Sequence, residues 1–325
     1  MKTDEKILRA LQKNAAVSID NLSVILKISR QYLHRKLKEM LEQNKVIKMG
    51  EAPHVFYSVA PKNDDEKFEM VSYEKEQFLN QHFMIIDALG NQLSGLAAMK
   101  YFTSNQHLPL LKTIDEYIET RKKYLSFYND EHLINGLEKL KTTKDIGAIG
   151  VDELYYLDFY AIERFGKTNL GCLMHYAKQG QNKQLMKKIA DEIRNRLLHF
   201  IQLHQIDAVL FVPPTIPRKV QIMSTMEKLL NLGLPTINVR KVSNAIAVPQ
   251  KALSKLYERV ANARNTFVVL EQKKYKNLLI LDDAIGSGAT INEIAKKVKD
   301  KKVAQHVVGL AITGSYKGFE VISEL

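Results

Sequence analysis

"LLILDDAIGSGATI", residues 278–291, decides the reading of the C-terminal half of this 325-residue chain. Four apolar residues run into two carboxylates, Asp282 and Asp283, and then into a loop of small residues. A short apolar run bounded by turn residues fits a buried strand of a parallel sheet. The loop Ala284, Ile285, Gly286, Ser287, Gly288, Ala289 and Thr290 can turn several backbone amides, and the hydroxyls of Ser287 and Thr290, toward one point. It leads into "INEIAKKVKD", a helix whose N-terminus carries the positive end of its dipole. Loop amides and helix start together form a phosphate site. Adjacent carboxylates at a strand's C-terminal end can accept hydrogen bonds from two neighbouring hydroxyls. In a parallel α/β sheet such loops lie at the carboxyl edge, where ligands bind.

Two families place acids after a buried apolar strand. The Walker type of nucleoside triphosphatase needs an upstream loop of the form GxxxxGK followed by Ser or Thr. The nearest stretch, "AIERFGKT" at 161–168, has Ala161 for the leading glycine and puts Glu163 inside the phosphate cradle. The stretch instead resembles the 5-phosphoribosyl-1-diphosphate (PRPP) signature of type I phosphoribosyltransferases. Asp282 and Asp283 take the acidic positions, Ser287 the second hydroxyl position, Gly288 the glycine and Thr290 the last threonine. Gly286 departs from the pattern where the family usually has threonine, which keeps the backbone cradle and loses one hydroxyl. On the motif alone, a plain strand-to-helix turn is the alternative.

Three further segments resemble ComF-like phosphoribosyltransferases in family order: "CLMHYAKQGQNKQLMKKIADEI" from 172, "VLFVPPTIPRK" at 209–219 and "ERVANARNTF" at 258–267. The resemblance implies a Rossmann-like parallel-sheet domain over 166–325 that binds PRPP with magnesium bridging diphosphate and ribose oxygens. It assigns the diphosphate to Arg218 and Lys219 after the first loop and to Arg240 and Lys241 at the end of "LPTINVRK". Arg259 and Arg264 fall in a segment that closes over the ligand. For any one of these six, a surface salt bridge is the alternative. No hood motif for an acceptor base is evident, so the acceptor stays open.

The front of the chain is of another kind. The net charge is +12, and residues 1–62 hold 12 Lys and Arg against 6 Asp and Glu. Charge concentrated on one small domain favours a polyanion partner. Ile7, Leu8 and Leu11 stripe a first helix; Ser18 caps a second, with Ile19, Leu22, Ile25 and Leu26 facing inward. Ser29 starts a third, whose Leu33, Leu37, Met40 and Leu41 share one buried face. "KVIKMGEAPHVFYSV" alternates, turns at Gly50–Pro53 and alternates again, a hairpin. Residues 1–60 thus resemble the winged helix-turn-helix family. The resemblance implies nucleic-acid contact, DNA foremost, with Arg30, Gln31, His34 and Arg35 reaching bases and Lys38, Lys48 and His54 on phosphates or the wing. A protein-docking module with solvated charges is the alternative.

Residues 61–67 read as a polar linker and 68–165 as a mostly helical connecting region without repeats or metal-ligand spacing. Its tyrosines at 117, 124, 128, 155, 156 and 160 sit at spacings more typical of core than of base stacking. The fold class is therefore multidomain α/β: winged helix, helical middle segment and phosphoribosyltransferase-like domain. The single cysteine, Cys172, excludes an internal disulfide and points to a reducing cytoplasm. No apolar stretch reaches the ~18–20 residues of a membrane span. Three functions remain: a PRPP- or nucleotide-responsive regulator, similar in arrangement to the purine repressors; an active, magnesium-dependent phosphoribosyltransferase, similar to effectors that accompany bacterial reverse transcriptases in anti-phage (retron-like) systems; and a non-catalytic scaffold. A homo-oligomer is expected.

Overall fold

The computed structural model describes residues 3–13, 17–43, 45–49, 55–59, 71–143, 146–214, 218–241 and 267–315. The chain divides into two units, Met1–Met70 and Val71–Leu325.

The first unit runs α1 (Thr3–Lys13), β1 (Val17–Ser18), α2 (Ile19–Leu26), α3 (Arg30–Glu42), β2 (Val46–Met49) and β3 (Phe56–Val59). Two serines start its helices. The Ser18 hydroxyl accepts from the Asn21 amide at 3.3 Å and the Ser29 hydroxyl from the Tyr32 amide at 3.4 Å, satisfying donors that no helical carbonyl can reach. Ile7, Leu22, Leu33, Leu37 and Met40 close one core with Val46 and Tyr57. β2 and β3 pair antiparallel, Met49 opposite Phe56, as the hairpin pattern requires. The turn between them, with His54, lies outside the described residues. Ile25, expected to face inward, is 52% exposed. It falls off the stripe that Ile19, Leu22 and Leu26 set, and α2 ends one residue later, with Lys27 in the left-handed region at φ 54°. β1, unforeseen, pairs with β3 to give a three-stranded sheet in the order β1-β3-β2.

The second unit opens with α4 (Tyr73–His82), β4 (Met84–Ile86), β5 (Gln92–Ser94), α5 (Gly95–Gln106) and α6 (Leu110–Leu125). There follow β6 (Ile134–Asn135), α7 (Leu137–Thr142), β7 (Glu153–Phe159), α8 (Asn169–Gln179), α9 (Lys183–Leu203), β8 (Ala208–Phe211) and α10 (Ile222–Leu230). It ends with β9 (Val239–Lys241), β10 (Phe267–Val269), β11 (Tyr275–Ile285), α11 (Ala289–Asp300) and β12 (Ala304–Gly314). The central sheet has the order β6-β7-β12-β11-β8. Its last four strands are parallel, and β6 alone runs antiparallel, against β7.

Strands buried on both faces read as continuous apolar runs, and alternate residues then feed two cores. Leu278 and Ile280 pack into one core with Ile291, Ile294 and Val298 of α11 and with helices α4–α6. Leu279 and Leu281 pack into the other with α8, α9 and α10. The result is a parallel sheet with helices on both faces, which agrees with the expected α/β class. The boundary at residue 166 is corrected: β7, from the stretch read as a helical connector, pairs in parallel with β12, Leu310 opposite Tyr155. Of the tyrosines, 155 and 156 lie in this strand, Tyr156 turning into the core beside Leu154, whereas 117 and 124 lie in α6 and are buried in the core as expected. Three of the seven residues, Tyr155, Tyr156 and Phe159, are aromatic, and aromatic residues are enriched in strands.

Candidate functional site

Above the carboxyl ends of β8 and β11 lies a cavity of about 200 Å³. These neighbouring strands send the chain in opposite directions: α10 joins the core on one face of the sheet and α11 the core on the other. Where successive connections diverge, the sheet cannot close its own top edge, and a crevice is left. β11 supplies Asp282 and Asp283, the loop 284–290 forms one wall, and Val212, Pro213 and Pro214 after β8 form another.

β11 runs two residues past the carboxylates, to Ile285, held there by register with Gly314. Asp283 is 8% exposed and its amide donates to Asp282 Oδ1 at 2.8 Å. Lys178 of α8 is ion-paired with Asp283. Burial and then the Asp283 charge push the Asp282 carboxyl from 3.8 up to about 7; Lys178 and the Asp283 amide pull it down by less. One lysine thus opposes two carboxylates.

The loop ends at Gly288, the residue before α11, at φ 77° and ψ −1°. A Cβ there would meet Leu140 at 3.0 Å, so glycine satisfies both the left-handed backbone and the close approach. The helix starts two residues earlier than its sequence pattern indicates, and no side chain caps it. Ser287 Oγ instead accepts from the Ala289 amide at 3.4 Å. An uncapped helix start offers its amides to an anion.

Of the basic residues nominated for diphosphate, Arg218 lines the cavity, donating to the Lys178 carbonyl and, at 3.4 Å, to Gln179 Oε1. Lys219 and Arg240 are exposed and are not among the cavity's lining residues. Lys241 belongs to β9, opposite Phe267; its side chain, with all of Arg259 and Arg264, lies outside the described residues.

The lining residues missed from sequence include Lys178, His175 and Tyr160. The Tyr160 hydroxyl lies 2.9 Å from His175 Nδ1. Burial, then the neighbouring Cys172 and Asp283, push the Tyr160 hydroxyl up to about 12. His175 and Lys178 are three apart on one helix and so share a face, a spacing already present in "CLMHYAKQG". Among the described residues no group of three or more His, Cys, Asp or Glu side chains can hold a metal alone. Two adjacent carboxylates opening on a cavity do fit a magnesium ion that takes its other ligands from water and phosphate oxygens.

On the first unit, Arg30, Gln31, His34, Arg35 and Lys38 are all exposed along the outer face of α3, opposite buried Leu33, Leu37 and Met40. Lys48 is exposed on β2. Residues 2–47 match a family model described as winged helix-turn-helix DNA-binding. The N-terminal unit is a winged helix-turn-helix. Its third helix carries these cations on the face turned away from the core. Within this winged helix Arg30 is paired with Asp20 of α2 at 2.8 Å. The Arg35 guanidinium rests over the Tyr32 ring, 5.2 Å from its centroid, which pre-orders it. The match ends before β3, and no curated protein matches the chain. Among the described residues no helix is long and apolar enough to cross a membrane.

Proposed function

We propose that the chain is a DNA-associated protein whose C-terminal unit binds PRPP, or a nucleotide carrying the same phosphoribosyl group, and whose winged helix responds to that ligand. The observation that carries the reading is the arrangement over β11. A carboxylate pair lies beside a loop that runs into an uncapped helix start, all lining one cavity at the point where the sheet connections diverge. The ribose 2- and 3-hydroxyls would donate to Asp282 and Asp283, and the 5-phosphate would sit on the amides of 286–290. Ser287 and Thr290 would add hydroxyls to the phosphate, and Arg218 would meet the diphosphate from across the cavity. Magnesium, when bound, would neutralise diphosphate charge; Asp282 and Asp283 are the residues that would hold it. With Gly286 in place of a hydroxyl-bearing residue, the cradle favours binding over turnover, which suits an effector site.

A second reading, an active phosphoribosyltransferase, is favoured by the Tyr160–His175 pair on the cavity wall. In such a transfer the acceptor's nucleophile bonds to ribose C1, the C1–O bond breaks, and diphosphate leaves with the electron pair. His175, backed by Tyr160, is the base on hand for the acceptor's proton. The test is fluorescence anisotropy of the full chain on duplex DNA with and without PRPP and magnesium, alongside an assay for released diphosphate. An effector shifts DNA affinity without releasing diphosphate, and an enzyme releases it when given its acceptor. If PRPP changes neither readout and does not bind, the reading is wrong.

A further inference from the structure

A second and larger cavity, about 780 Å³, lies at the edge of the central sheet, sharing no residue with the first. Its origin is a short edge strand. β6 pairs only Ile134 and Asn135, with Tyr156 and Tyr155, so beyond Tyr156 the edge of β7 has no strand beside it among the described residues. The gap is spanned by side chains from α6 and α9, helices that pack on opposite faces of the sheet.

At its floor Arg121 and Asp158 form an ion pair at 3.3 Å, each less than a tenth exposed. Asp158 Oδ1 also accepts from the Tyr128 hydroxyl at 2.5 Å and the Phe159 amide at 2.8 Å. The carboxylate is therefore well satisfied, but the guanidinium is not: Arg121 Nε is buried with no hydrogen-bond partner. Nε itself is sealed within the protein, so Arg121 meets the cavity through the rest of its side chain, as one of the lining residues. A second guanidinium adds to the field. Arg196 Nη2 donates to the carbonyls of His132 at 2.6 Å and Leu157 at 3.0 Å, which hold it in place, and its charge also acts on Glu192 one turn earlier on α9. The other acid in the cleft, Glu131, is engaged with His204 at 3.2 Å. Leu125, Leu133, Leu157 and Phe200 supply apolar walls, and His132, Asn195 and His199 stand exposed at the mouth.

We infer that this cleft is a binding site for a small organic anion, with a carboxylate or phosphate group on Arg121 and Arg196 and a flat apolar body against Phe200 and the leucines. The volume lies in the range of small-molecule sites, and an apolar lining with a few converging polar groups is their usual chemistry. The proposal stands apart from the phosphoribosyl reading and survives its failure.

The probes are benzoate and phenyl phosphate, which present the same ring with either anionic group, and benzyl alcohol, which lacks the charge. Binding to the full chain is followed by saturation-transfer NMR and titration calorimetry. Wild type is expected to bind at least one anion and not the alcohol, and the preferred anion tells which group the site takes. His199→Trp, at an exposed helix position, fills the mouth without touching the core. The double change Arg121→Gln with Asp158→Asn removes the cation without stranding a buried charge. Each should weaken binding about tenfold or more, the worth of a charge-assisted hydrogen bond. Thr290→Asp, which repels anions from the loop of the first cavity, should leave the affinity unchanged. The inference is overturned if neither anion binds, if the alcohol binds equally well, or if Thr290→Asp abolishes binding that His199→Trp spares.

Discussion

Asp282 is held in a state that its own sequence position does not advertise, and removing its charge tests this. Its carboxyl ionises near 3.8 when free and at about 7 in the fold, because burial and the neighbouring Asp283 disfavour the second charge. A raised carboxyl stabilises the folded chain relative to its ionised form only at low pH. The contribution is intact below 3.8, is lost as pH rises, and is gone above about 7. The wild-type penalty comes to about 2 kcal/mol at pH 5 and about 4 kcal/mol at pH 8. Asp282→Asn escapes it. Between pH 5 and pH 8 the wild type should therefore lose about 2 kcal/mol that the variant keeps, read as a widening gap in urea midpoints followed by circular dichroism. Parallel pH profiles for the two proteins would refute the reasoning, because the carboxyl would then be as free in the fold as in the unfolded chain.

Other consequences are as direct. Gly288→Ala forces a side chain into the left-handed region and against Leu140, and should cost about 1–2 kcal/mol, seen as a lowered Tm. Lys178→Met removes the cation that opposes the two carboxylates, so the Asp282 midpoint should move further up, as followed by carboxyl-carbon NMR. On the winged helix, Arg35→Ala should cost about 1–3 kcal/mol at one base position, measured by anisotropy on a set of substituted duplexes. Lys48→Ala should weaken all duplexes alike and flatten the log–log salt slope by about one.

The winged helix was legible because its signals are local. Ser18 and Ser29 cap where they stand, and the spacing of Leu33, Leu37 and Met40 leaves one face for the core and the other for Arg30, Gln31, His34, Arg35 and Lys38. Ile25 misled because an apolar residue near a helix end reads as core, whereas a helix of eight residues has room for only one narrow stripe. In the second unit, β11 and its loop could be read for the same local reason: an apolar run, then carboxylates, then glycine. The partners of that loop could not. Lys178 lies 105 positions before Asp283, and only the packing of α8 against the sheet brings them together. Residues 153–159 were hidden because the stretch has no β-branched residue and no strict alternation to mark a strand before the sheet supplies a partner. Arg121 and Asp158 gave no signal at all, because an arginine on a mostly polar helix looks solvated until its burial is seen.

The central claim is that the cavity over β11 holds a phosphoribosyl group. The measurement is calorimetric titration of the full chain with PRPP and magnesium, compared with the double variant Asp282→Asn, Asp283→Asn. Saturable binding by wild type, weakened in the variant by several kcal/mol for two charged hydrogen bonds at ~1.5–3 each, is the predicted result. Equal affinity in the two proteins, or no binding by wild type, would contradict it.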